Sequence, residues 1–267
     1  YRRQRQMCIR DREKLNGWVK ARDASRQPAA MYAMGSLLLE KDDLSGAVKM
    51  AEEGLSKYPQ SLPVQILSLN TITVLLDKNR LQDAERLISK YPGSSPDLVF
   101  QQGALAFLKK DYSLAQKLFR EAARRASETT AENALFNENL AALNANDASG
   151  AAALIKEAAG SSRLRESILF EQAHYAAKRM APQAAELLAN FITLAETPAL
   201  KTQARLDQVE VALNLNPPDL ETVQAILPLL EKEQLSPEQT MQLARLNILE
   251  AESRQTGVSG RKRRLVL

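Results

Sequence analysis

The sequence predicts an all-helical fold made of stacked helix pairs, and three observations predict it. Apolar residues recur at helical spacing along most of the 267 residues, while β-branched or aromatic runs bounded by turns, the mark of strands, are missing. Between Pro28 and Ser253 the pattern repeats at roughly 31 to 38 residues, and each repeat reads as two short antiparallel helices closed by a turn. The beat of the repeat is a compact residue placed to pack against the neighbouring helix: Ala47, Ala84, Ala115, Ala152, Ala185 and Val223. A unit this small cannot bury its apolar face alone, so successive units must share one continuous core, as in an α-solenoid.

The first unit opens on PAAMYAMGSLLLE, whose Met31, Met34, Leu38 and Leu39 share one helical face ahead of the polar turn Lys41-Asp42-Asp43. LSGAVKMAEEGLSKY follows as its second helix and stops at Pro59. In the second unit Ile72 stands twelve residues before Ala84, and the second helix ends early at Tyr91-Pro92. Ser95-Pro96 then offers a capping hydroxyl followed by proline in the first turn, and starts the third unit, which continues through QQGALAFLKKDYSLAQKLFREAARRAS. The fourth, AENALFNENLAALNANDASGAAALIKEAAG, is so rich in alanine that either Asn139 or Leu140 fits the position of close approach. The fifth pairs Ala173 with Ala185 and closes at Pro198. The sixth pairs Val211 with Val223, and Pro228 is placed to kink or end its second helix. After the break Asn216-Pro217-Pro218, Ser236-Pro237 with Gln239 at capping-box spacing starts a terminal helix, PEQTMQLARLNILEAES. Its face of Met241, Leu243, Leu246 and Leu249 is apolar enough to need a partner.

Gly35 and Ala47, Gly103 and Ala115, and Ala173 and Ala185 each stand twelve residues apart, and the third unit adds Phe119 and Ala122. This pattern resembles the tetratricopeptide repeat, in a diverged bacterial type of array, over about residues 28 to 235. The resemblance implies an all-α, right-handed α-solenoid of about six helix pairs plus a terminal helix, in which small residues let paired helices approach closely. On that reading residues 1–27 are a basic N-terminal segment, 28–253 the repeat domain and 254–267 a basic, disordered tail. The stretch RQMCIRDR resembles the translation of a sequencing adapter, which would make part of segment 1–27 an artefact.

The charge is distributed to match. The whole chain carries +4; residues 1–27 hold +6 and residues 254–267 hold +5, which leaves the repeat region at −7. The basicity belongs to the ends. The runs Arg2-Arg3-Arg5 and Arg261-Lys262-Arg263-Arg264 carry no interleaved aromatics, so nucleic acid is not the favoured partner. No stretch of about 18 apolar residues is present, so no transmembrane segment is expected. The first residues lack the apolar middle of a secretory signal, and both bacterial cytoplasm and periplasm fit a chain of this composition.

One cysteine, Cys8, and one histidine, His174, leave little for catalysis or metal binding. No second histidine and carboxylate stand at ligand spacing from His174, and adjacent carboxylates such as Glu52 and Glu53, or Asp42 and Asp43, point apart. Neither G-x-G-x-x-G nor G-x-x-x-x-G-K-S/T occurs. The chain therefore reads as a non-enzymatic protein with neither cofactor nor metal.

The resemblance implies a concave groove lined by the first helix of each pair. The side chains it places there are Tyr32 and Leu39, Leu69 and Thr73, Phe100 and Phe107, Asn137 and Asn144, and Phe170 and His174. The basic and asparagine residues with which family members clamp a terminal carboxylate are not at these positions. An aromatic-dotted apolar trough suits an amphipathic helix or extended apolar segment of a protein or peptide partner. The alternative is a spacer or accessory repeat segment of a larger bacterial envelope or secretion protein.

Overall fold

The computed structural model describes the backbone of residues 17, 19 and 26–264, and side chains as far as 255 apart from that of 128. Among the described residues the protein is all helical, with thirteen α-helices and no strand. The chain forms two compact units, Tyr1–Ala145 and Asn146–Leu267.

The first unit holds α1 (Gln27–Glu40), α2 (Leu44–Lys57), α3 (Leu62–Asp77), α4 (Leu81–Lys90), α5 (Pro96–Leu108), α6 (Tyr112–Arg125) and α7 (Glu128–Asn144). Sequence neighbours pack as antiparallel pairs, and α1 also packs on α3, α3 on α5 and α5 on α7, so the first helices of successive pairs form their own stack. Burial follows that double duty. α3 has seven buried positions, among them the polar Ser68 and Thr71, whose hydroxyls donate to the carbonyls of Val64 (2.8 Å) and Leu67 (2.7 Å) one turn back. α4, covered on one side only, buries Ala84 and Leu87.

The second unit holds α8 (Ala148–Glu157) with a 3₁₀ turn (Ala158–Gly160), α9 (Ser162–Lys178), α10 (Ala184–Leu194), α11 (Pro198–Asn214), α12 (Leu220–Leu230) and α13 (Pro237–Arg264). α9 packs on α10 and α11, and α11 on α12 and α13. Pro228 lies inside α12, which ends two residues later. The capping box is formed as spaced: the Gln239 amide donates to Ser236 Oγ at 3.2 Å, and the Ser236 amide donates to Gln239 Oε1 at 3.1 Å. α13 runs past Ser253 to Arg264, through residues read from sequence as a disordered tail. Its Leu243 and Leu246 are buried, whereas Met241, 71% exposed, is turned away from that core.

A common turn sets the beat. Asp42, Asn79, Lys110, Asn146 and Met180 all have positive φ, between 50° and 65°, and each stands seven residues after Gly35, Ile72, Gly103, Asn139 and Ala173 respectively. The next residue caps the following helix in three of the five: the Asp43, Asp111 and Asp147 carboxylates accept from the amides of Gly46 (2.9 Å), Leu114 (3.1 Å) and Gly150 (2.9 Å). Four residues beyond the cap, one helical turn, come the buried Ala47, Ala115 and Ala151. Asp219 and Val223 repeat the arrangement, with the Thr222 amide donating to Asp219 at 3.1 Å.

Two positions of the expected beat are corrected by this geometry. Ala151 is buried and Ala152 exposed, because the helix is phased by its Asp147 cap and not by the run of alanines. Ala184 is buried and Ala185 exposed, because Ala181-Pro182-Gln183 makes a tightened turn in which the Ala184 amide donates to Ala181 O, three residues back where the other units use four. Glycine is required where helices touch most closely: a Cβ on Gly103 would lie 2.9 Å from two carbons of the buried Phe119 ring, from the second helix of the same pair. Gly35 meets Leu67 of α3 instead, so its close approach is to the first helix of the following pair.

Candidate functional site

The residues expected to line a partner site lie on the first helices α1, α3, α5, α7 and α9, and their exposure differs widely. In the first unit Tyr32 is 37% exposed, while Leu39 and Leu69 are half-buried against the core between α2 and α5. Thr73 is exposed; its hydroxyl donates to Leu69 O at 3.0 Å and accepts from the Gln101 side chain at 2.9 Å, which ties α3 to α5. Phe100 and Phe107 are half-buried and already engaged, Phe100 tilted on Phe119 and Phe107 edge-on to Tyr112, each at 5.3 Å between ring centres. Asn137 and Asn144 are half-buried, and each amide donates at 2.8 Å to a carbonyl one turn back on α7, Asn133 and Leu140 respectively. Leu62 at 65% and Ile66 at 38% are exposed apolar side chains that continue the Leu69 and Thr73 row toward the start of α3, and Leu108, 41% exposed, ends α5.

In the second unit the same row is polar. Phe170 is a core residue, 8% exposed, with its ring tilted on Phe191 at 5.5 Å and stacked under His174 at 5.4 Å. His174 Nδ1 meets Asp207 Oδ2 of α11 at 2.5 Å, and the Asp207 side chain is 1% exposed. The hydrogen bond to Asp207 raises the imidazole pKa above its ordinary value, outweighing the opposite effect of burial. Lys178 reaches Glu210 at 3.2 Å and stands 3.9 Å from Asp207. The Gln203 amide donates to Asp207 at 3.2 Å and to Gln242 of α13 at 3.1 Å. Beside this ladder Glu171 is held above the usual carboxylate range, chiefly by burial.

Only His174 of this cluster stands out in the sequence; Asp207, Lys178, Gln203 and Glu210 do not. The signal that finds them is the repeat length itself. His174–Asp207, Lys178–Glu210, Arg86–Glu52 and Thr73–Gln101 are separated by 33, 32, 34 and 28 residues, since one first or second helix meets the next one repeat later. The outward chemistry is thus apolar along α1, α3 and α5, and an internally paired set of charges and amides along α9, α11 and α13. Among the described residues no helix is long and apolar enough to cross a membrane. The chain matches no protein-family model, and no curated protein or solved structure is significantly similar to it.

Proposed function

We propose that the chain is a non-catalytic scaffold that holds a protein or peptide partner on its first helices, each unit being a run of tetratricopeptide-like pairs of a right-handed α-solenoid, about six pairs in all. The observation that carries this reading is the apolar row of α3, where Leu62 and Ile66 remain exposed on a helix whose other faces are packed. Scattered apolar residues need no explanation, but this row runs along one face of α3, and α1, which packs on α3, adds the exposed Tyr32. The occupant best suited to it is the apolar face of an amphipathic helix. The backbone there is already ordered by helix packing, so binding costs little conformational entropy on this side.

The test is capture of a partner from lysate, its identification by mass spectrometry, and rebinding of the purified partner to wild type and to Leu62→Glu plus Ile66→Glu. Both side chains are exposed, so the double variant should keep its circular dichroism and lose the partner. Equal binding by both proteins rejects this face as the site. Phe100 and Phe107 are poorer probes, because their rings pack on Phe119 and Tyr112 and changing them would disturb the fold.

A further inference from the structure

α13 is apolar on two sides, and only one of them is covered. Leu243 and Leu246 are buried and Leu249 is half-buried in the core that α13 shares with α11 and α12. The opposite side carries Met241, Ala244, Ile248 and Ala251, all exposed, Met241 at 71% and Ile248 at 62%. Their spacing of three, four and three residues is that of a helix–helix seam. Two such faces belong to a helix sealed between neighbours on both sides. α11 shows the sealed case in the same unit: packed on α9 and α10 and again on α12 and α13, it buries eight positions.

The charges beside this row indicate what covers it. Arg245 and Glu252, both exposed, stand seven residues apart along one edge of the row. Two helical turns put about 10 Å between them, too far for them to pair with each other. Arg245 forms no ion pair among the described residues. Glu252 has a contact within its own chain, but at an exposed position such contacts are weak and exchange readily. Turned end for end, the same face offers the two charges in reverse order. A second copy laid antiparallel on the first therefore sets Arg245 against Glu252 and Glu252 against Arg245. In that register Ile248 of one copy lies on Ala251 of the other, whose small side chain leaves room for it.

We propose that the chain self-associates through this face of α13, two copies meeting antiparallel about a two-fold axis. Ile248 and Ala251 form the centre of the seam, and two reciprocal Arg245–Glu252 pairs flank it along one edge. The seam from Met241 to Gln255 is about 21 Å long. That is small against a standard interface of about 1,600 Å², so the dimer dissociates in the micromolar range. The assignment is independent of partner binding on α1 and α3. Sedimentation equilibrium of the whole chain, over roughly a hundredfold range of concentration around the micromolar, tests it. A monomer–dimer equilibrium is expected, and Met241→Glu plus Ile248→Glu should hold the chain monomeric throughout. Arg245→Glu alone, or Glu252→Arg alone, sets like charges opposite each other and should weaken association roughly tenfold. An equimolar mixture of these two single variants should recover it, as should the variant carrying both changes, because each restores opposite charges across the seam. All four side chains are exposed, and an unchanged thermal melt certifies the fold of each variant. A chain monomeric at every concentration, the result if a different protein covers this face, would overturn the proposal. So would a dimer that survives the Met241 and Ile248 changes, a dimer lost instead with Leu62→Glu plus Ile66→Glu, or a charge reversal that its complement does not rescue.

Discussion

Ala151 and Ala152 are the same side chain in opposite circumstances: one is sealed under its neighbours and the other faces water. Leucine at 151 must force apart a packed contact and is expected to cost about 1–3 kcal/mol, whereas leucine at 152 should stay within about 0.5 kcal/mol of wild type. Urea denaturation of the two variants checks this, and equal midpoints would reject the phasing by Asp147. The comparison also shows where residue-level reading succeeds. Ala47, Ala84, Ala115 and Val223 were legible because none has another alanine beside it, so only one register fits. In Ala151-Ala152-Ala153 all registers look alike, and the deciding residue is the capping aspartate outside the run.

Between elements, the polar contacts fix how one pair meets the next. Arg120 of α6 donates from Nε to Glu138 of α7 at 2.5 Å, and Glu138 is wholly buried. Arg120→Ala would remove that charged donor from a buried carboxylate, with an expected loss of about 3–5 kcal/mol, and adding Glu138→Leu should recover much of it. Chemical denaturation of the single and double variants measures the recovery; a double variant no better than the single would show that packing, not charge, dominates there. The His174–Asp207 bond makes a second prediction, in pH. Because the folded-state pKa of His174 is raised, its contribution is fully present below the unfolded value near 6.5 and is lost as pH rises through the higher folded value. Melting temperatures of wild type and His174→Gln, taken from acid to mildly alkaline pH, should therefore converge as pH rises. A gap that stays constant across that range would rule the bond out as its source. Neither pair was legible in the sequence, because their partners lie on different helices about a half or a full repeat away and no local spacing marks them.

For the whole molecule, each compact unit carries its own core, and this makes separability testable. The clusters around Leu67 and Phe119 lie within residues 1–145, and those around Leu188 and Leu206 within 146–267. A fragment of residues 26–145 is expected to keep helical circular dichroism and a cooperative melt; a non-cooperative, coil-like fragment would contradict it. At this scale the sequence showed the all-helical class and the pairing, since both follow from periodicity and turns. It did not show the division into two units, because the alanine-rich fourth repeat reads as continuous while α7 and α8 fall on opposite sides of the boundary. The tightened turn at Pro182 carries a wider consequence. Dropping one residue ahead of a helix rolls it about 100° on its own axis, so a different strip of side chains meets solvent while an alanine still fills the seat beneath. A repeat can in this way renew its outer lettering by a single deletion, leaving its foundations untouched.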